Sequence, residues 1–303
     1  MSVDGSDNRA RASIGAVLSP MPAESGSRRE EHILAGAIRL HYMAWGRGDG
    51  RAIVFLHAGG SSAHSWDAVC AQLQVKHLCL AVDLRGHGDS EWALDADYSL
   101  EANSRDLAAF IRALRLSSFA LVGASFGALV ALQFVGDGGT PDGLVIVDSG
   151  PAVNNAETRR MVRSLNGIPA DFGSVEEYVE YALRENPRRD PEKIRQRYSQ
   201  SLRRLSNGRW AWKFDRRNYA QVDQAAFEER RKKLWTAVEA ARCPALVVRG
   251  GESNLFSEDQ AAGLARRFPR GSWVVADGAK HSVESHDAAA LAKIIDEFLT
   301  RVV

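Results

Sequence analysis

The chain has 303 residues, 45% of them hydrophobic and 25% charged, enough to bury the core of one large domain. Its 39 Lys and Arg nearly balance 38 Asp and Glu, so it lacks the basic excess that nucleic acid or an anionic membrane would call for; a small-molecule partner is expected. Three cysteines, Cys70, Cys79 and Cys243, have no metal-ligand spacing and cannot all pair, and neither a membrane span nor a signal-peptide core is evident, which together point to a cytoplasmic protein.

Residues 1–31, rich in Ser, Gly, Asp, Arg and Ala with no sustained period, read as a flexible tail. From His32, "HILAGAIRLHYMAWG" predicts a hairpin with Gly36 at the turn. Short apolar runs follow at 52–57, 78–83, 119–124, 143–148, 245–250 and 272–277. They alternate with segments of helical spacing near Ser65–Leu73, Leu100–Leu114, Phe126–Val135, Ser257–Phe268 and Asp287–Leu299. That rhythm predicts an α/β fold, a mostly parallel sheet with helices on both faces, spanning 32–150 and 241–303. Nearly a hundred residues separate Asp148 from Ala245, too many for one crossover. Their pattern predicts a helical cap insertion over 151–240.

In an open parallel sheet, ligands gather at the carboxyl ends of the strands, so polar residues just after the apolar runs carry the interest. "FALVGASFGALVAL" passes from strand to helix through Gly-Ala-Ser-Phe-Gly. A serine in so tight a turn is forced toward positive φ and needs small neighbours, which Gly123 and Gly127 supply. The turn would raise the Ser125 hydroxyl above the sheet and gather backbone N–H groups at a helix N-terminus, as a nucleophile requires. The structural alternative is a serine that only caps the helix. A nucleophilic serine needs a base, and His281 lies in the loop directly after the last strand run. His32, His41, His64, His77 and His286 have no such placement.

Five motifs in order, "FLHAGGSSAHSW" (55–66), "DLRGHGDS" (83–90), "GASFG" (123–127), "VRGGESNLFS" (248–257) and "GAKHS" (278–282), make most of 32–301 resemble the α/β-hydrolase superfamily, specifically its cap-bearing branch. The resemblance implies the α/β-hydrolase fold with Ser125 as nucleophile and His281 as base. It also implies an oxyanion hole from the backbone N–H of Phe126 and of a residue after His57, taken as Gly59; the usual His-Gly pair is His57-Ala58 here. His57, Asp83, Arg85 and Asp89 read as loop-fixing residues. The chain departs from the family at the acid, whose usual place aligns with Ser253. Asp148, one strand closer to the nucleophile, is the favoured substitute, Glu252 the competitor, and a Ser–His dyad the remaining option. In the insertion, Trp210 and Trp212 either line an aromatic substrate wall or pack the cap onto the body. Arg203, Arg204, Arg209, Arg216 and Arg217 form either a solvated basic face or a carboxylate attractor.

The expected function is a serine hydrolase acting on an ester, lactone or activated carbon–carbon bond of a small, hydrophobic substrate. The alternatives are a cofactor-free His–Asp enzyme of proton abstraction, such as a ring-cleaving dioxygenase or lyase, and a non-catalytic ligand receptor. No phosphate loop or metal-ligand cluster stands out, so no cofactor or metal is inferred, and the oligomeric state stays open.

Overall fold

A computed structural model describes residues 28–47, 50–153, 163, 167–219 and 224–302. Strands β1 (Arg29–Ala35) and β2 (Ile38–Trp45) form the hairpin, with Gly36 at φ +69° in its turn. Pairing of Arg29 with Ala44 carries β1 three residues into the segment expected as tail; residues 1–27 lie outside the described ones.

β3 (Arg51–Leu56), α1 (Asp67–Leu73), β4 (His77–Val82), α2 (Leu100–Ala113), β5 (Phe119–Ala124), α3 (Phe126–Gly136) and β6 (Gly143–Val147) then alternate as the rhythm predicts. Every residue of β5 and β6 is buried, because helices cover both faces; the strands therefore read as unbroken apolar runs. The eight-stranded sheet, completed by β10 (Ala245–Gly250) and β11 (Gly271–Ala276), has the order β1-β2-β4-β3-β5-β6-β10-β11, antiparallel only at β1–β2 and β2–β4. Two apolar layers flank it. One holds Phe110, Val130, Leu132 and Leu264, and the other Trp66, Val69, Ile295 and Phe298.

After β6 the chain leaves the body. It builds β7 (Asp171–Phe172), α4 (Val175–Glu185), α5 (Pro191–Gln196), α6 (Tyr198–Ser201), β8 (Leu202–Arg204) and β9 (Trp210–Trp212), followed by a 3-10 turn at Arg216–Tyr219. The insertion is thus mixed rather than purely helical. Its three strands pair in the order β7-β9-β8, because alternating aromatics in "WAW" suit a pleated, half-buried surface better than a helix. Phe172, Tyr178, Val179 and Leu202 give it a small core of its own.

α7 (Gln224–Ala240) returns to the body. Leu234 and Val238 join the core cluster that contains Val130 and Phe134, although the sequence reading gave residues up to 240 to the insertion. β10 (Ala245–Gly250), α8 (Glu258–Arg267), β11 (Gly271–Ala276), α9 (Val283–His286) and α10 (Ala288–Val302) complete the sheet and its cover. Among the described residues no helix is long and apolar enough to cross a membrane.

Candidate active site

β5 ends at Ala124 and α3 begins at Phe126, leaving one residue to turn the chain. Ser125 does so at φ 49°, ψ −112°, a conformation that costs a residue with a Cβ about 1–3 kcal/mol. Hydrogen bonds on both sides hold it: Ser125 N–H donates to the Val147 carbonyl (3.1 Å) and Ala128 N–H to the Ser125 carbonyl (3.1 Å). The flanking glycines are required sterically. A Cβ on Gly123 would collide with the Gly127 carbonyl, and one on Gly127 with the Leu56 carbonyl.

The Ser125 hydroxyl lies 3.1 Å from His281 Nε2, and His281 Nδ1 lies 2.7 Å from Asp148 Oδ2. A carboxylate next to Nδ1 keeps the proton on that nitrogen and leaves the Nε2 lone pair to accept from serine. Asp148 follows β6, the strand next to β5, and is itself at φ 48° and 0% exposed. Its burial is compensated by hydrogen bonds. Gly250 N–H donates to Oδ1 (2.8 Å), and the Ser253 hydroxyl donates to Oδ2 (2.5 Å). Ser253, the position at which the sequence reading looked for the acid, therefore donates to a carboxylate that follows the neighbouring strand. Arg249 steadies that loop by donating to the carbonyls of Gly251 (3.0 Å) and Phe256 (3.0 Å). Glu252 is exposed, with its backbone N–H bound to Ala279.

Phe126, at the first helical position, has a backbone N–H that the helix itself does not use. Gly59 lies close by: a Cβ there would be 3.6 Å from the Phe126 Cβ and 3.2 Å from the Tyr219 hydroxyl. His57 shapes this loop, with Nδ1 donating to the Ala58 carbonyl (2.8 Å) and Nε2 accepting from Leu84 N–H (3.0 Å). His87 does similar work. Its Nδ1 donates to the Arg85 carbonyl (3.1 Å), so Nε2 is an acceptor for Gly60 N–H (3.3 Å) and for the Tyr219 hydroxyl (3.0 Å). Burial pushes the pKa of His87 down to about 3, and the ring stays neutral.

Residues 53–294 match the model of the alpha/beta hydrolase family. The chain belongs to this family. It is 35% identical over 277 residues to esterase Rv0045c of Mycobacterium tuberculosis, covering 88% of this chain and 87% of that protein. The crystal structure of that esterase superposes with a TM-score of 0.74 at 31% identity, over 91% of this chain and 92% of that one. The 3-hydroxybutyrate-oligomer hydrolase of Cupriavidus necator is 26% identical over 278 residues, 88% of this chain and 94% of that protein.

In this alpha/beta hydrolase the "DLRGHGDS" residues are absorbed in structure. Asp83 accepts from His41 (2.7 Å), Ala63 N–H (2.6 Å) and Asp89 N–H (2.9 Å), while Arg85 holds Asp106 through two nitrogens (2.6 and 2.7 Å). Among the described residues one cluster, His41, Asp83 and Asp89, has metal-ligand spacing, but the Asp83 oxygens are already occupied by these loop hydrogen bonds. Trp212 packs against Phe172, Tyr178 and Phe214 with centroids 5.5–5.6 Å away, its indole N–H donating to the Pro169 carbonyl (2.8 Å). Trp210 meets Tyr198 edge-on at 4.9 Å. Both tryptophans are half-buried and pack against the insertion's own core.

Of the arginines singled out in the insertion, Arg203 stacks on Trp92 (4.0 Å), Arg209 pairs with Asp171 (2.8 Å) and Arg217 with Asp215 (2.6 Å). The sequence reading missed Ser253 as a donor to the acid, and it missed Tyr219, His87 and the buried Glu284. A larger depression of about 670 Å³, lined by Phe119, Arg112 and Asp137, lies at the amino end of β5, away from the strand ends that carry Ser125 and Asp148.

Proposed function

We propose that the protein is a serine hydrolase that cleaves carboxylic esters of small substrates through an acyl-enzyme on Ser125. The observation that carries this reading is the hydrogen-bonded chain from Ser125 Oγ through His281 to Asp148. His281 Nε2 takes the hydroxyl proton as Oγ attacks the carbonyl carbon. The resulting oxyanion is stabilised by the N–H groups of Phe126 and Gly59. The imidazolium, oriented and stabilised by Asp148, then gives its proton to the leaving alcohol, and a water repeats the sequence to release the acid. Lactones and activated carbon–carbon bonds fit the same steps. A proton-abstraction enzyme needs the His–Asp pair alone, and the strain held at Ser125 favours the nucleophilic reading over it.

The insertion acts as a cap: it meets the site loops through Tyr219 on His87 (3.0 Å) and Lys213 on Asp89 (2.6 Å). A cytoplasmic location is supported by three free thiols, two of them buried.

The test is labelling with a fluorophosphonate and peptide mapping, together with hydrolysis of a 4-nitrophenyl ester. Label on Ser125, and a loss of about 10³-fold or more in Ser125→Ala, is expected. Wild-type turnover in Ser125→Ala would refute the mechanism.

A further inference from the structure

A cavity of about 320 Å³ lies between the insertion and the body. Its body side begins at Gly60 and Ser61, directly after Gly59, and includes Glu284, three residues beyond His281, so it adjoins both the oxyanion loop and the helix that follows the base. Its insertion side carries Arg189, Arg197 and Lys213. Apart from Gly60, Ala68 and Phe214, every residue lining it bears a polar side chain, which makes it a poor site for a hydrophobic group.

The charges in this lining do not balance. Lys213 is spent on Asp89 (2.6 Å), and Asp67 is shared by His64 (3.1 Å) and Arg28 (3.3 Å). Glu284 is 3% exposed and its Oε2 has no partner; burial pushes its carboxyl up to about 7, so below neutrality it is a hydrogen-bond donor without an acceptor. Among the described residues the acids nearest in the insertion are taken by other cations, Glu176 and Glu192 by Arg195 and Asp171 by Arg209, and none pairs with the Arg189 or Arg197 guanidinium. The cavity thus presents two guanidinium forks without an acid partner among the described residues, and a buried polar group with an unfilled hydrogen bond. A carboxylate is complementary to both.

We propose that this cavity receives a carboxylate borne by the substrate a few bonds from the scissile carbonyl, held by Arg189 and Arg197. The inference rests on the serine hydrolase reading and narrows it to anionic esters, in place of the hydrophobic substrate expected from sequence. Both guanidinia are exposed, so the gain is modest, about tenfold, and is screened by salt.

Two pairs of esters test it and locate the carboxylate. 4-Nitrophenyl hemiglutarate against 4-nitrophenyl pentanoate places the charge on the acyl side, and 4-acetoxybenzoate against 4-acetoxybenzamide places it on the alcohol side. In at least one pair the anion is expected to have the higher kcat/KM by about tenfold at low ionic strength, chiefly through KM, and to lose that advantage in 0.5 M salt. The Arg189→Gln/Arg197→Gln variant, verified by cooperative thermal unfolding, should lose the preference. Glutarate, but not glutaramide, should raise the Tm of the wild type and not of the variant, which reads the cavity without turnover. Equal or better hydrolysis of the neutral ester in both pairs, a preference that survives the double substitution, or no Tm response to glutarate would overturn the inference while leaving the hydrolase standing. A glutarate response without any ester turnover would keep the site and overturn the hydrolase reading.

Discussion

At the scale of single residues, the acid is the point on which the sequence left two carboxylates open. Asp148 and Glu252 both follow strands near the base, and nothing in their spacing says which one turns inward. The positive φ of Asp148, with Gly250 N–H and the Ser253 hydroxyl fastening its two oxygens, aims it at His281, whereas Glu252 points to solvent. Asp148→Asn should therefore lower turnover by up to about 10⁴-fold near neutral pH with the fold intact, because an amide favours the wrong imidazole tautomer, while Glu252→Gln should change it little. Adding Ser253→Asp to the Asp148→Asn background should recover part of the loss, since Ser253 Oγ already lies 2.5 Å from the Asp148 carboxyl. Steady-state rates on one 4-nitrophenyl ester rank all three.

Glu284 was not legible at all, because its burial arises only when α9 packs against α1, α10 and the turn at Ala63–Trp66. An unfolded chain releases this proton near 4.5 and the folded one near about 7. Between those values the folded state binds more protons, so stability falls as pH rises, by about 3 kcal/mol in all. Glu284→Gln should match the wild-type Tm at pH 5 and exceed it by several degrees at pH 8.5. Parallel Tm–pH curves would refute the buried, raised carboxyl.

At the scale of elements, the body was readable because β3 to β6, β10 and β11 are short apolar runs between helical segments, a pattern with few other solutions. The strand-to-helix turn at Ser125 was readable for a steric reason: Gly123 and Gly127 each face a carbonyl where no Cβ fits. The insertion was less legible, since β7 and β9 are two and three residues long and gain their form from contacts across some forty residues. Trp212 ties them together through Phe172, Tyr178 and the Pro169 carbonyl. Trp212→Ala should cost the insertion about 3 kcal/mol. Proteolysis within 171–219 should quicken, and acetate and bulky aryl esters should lose kcat/KM together. A selective loss of the bulky ester would instead make Trp212 part of a substrate wall.

At the scale of the whole molecule, the insertion is fastened to the body near its carboxyl-terminal end. Asp215 is the centre of that attachment. Its backbone N–H donates to the Gly86 carbonyl (2.7 Å), the Tyr98 hydroxyl of the body donates to Oδ2 (2.5 Å), and Arg217 donates to the same oxygen (2.6 Å) while also reaching the Ala93 carbonyl (3.2 Å). Four residues further on, Tyr219 touches His87 and through it the Gly60 amide, so the attachment leads to the loop that carries Gly59. Burial alone would raise the Asp215 carboxyl, but hydrogen bonds from Arg217 and Tyr98 prevail and hold it below the usual carboxylate range. The stability this contributes is fully present above the unfolded value of 3.8 and is lost as pH falls through the lower folded one. Attachment is therefore complete at neutral pH, where a substitution must be used to break it. Asp215→Ala leaves the Tyr98 hydroxyl and the Arg217 guanidinium without their shared acceptor, and the insertion should open more often than the body unfolds. Hydrogen exchange should quicken across 202–219 before it does in β5 or β6, with kcat falling several-fold through the Tyr219–His87 contact. Tyr219→Phe, which removes that contact and leaves Asp215 in place, should reproduce the fall in kcat without the faster exchange. If Asp215→Ala loosens the insertion and leaves kcat unchanged, the attachment holds the cap alone and the oxyanion loop is set within the body.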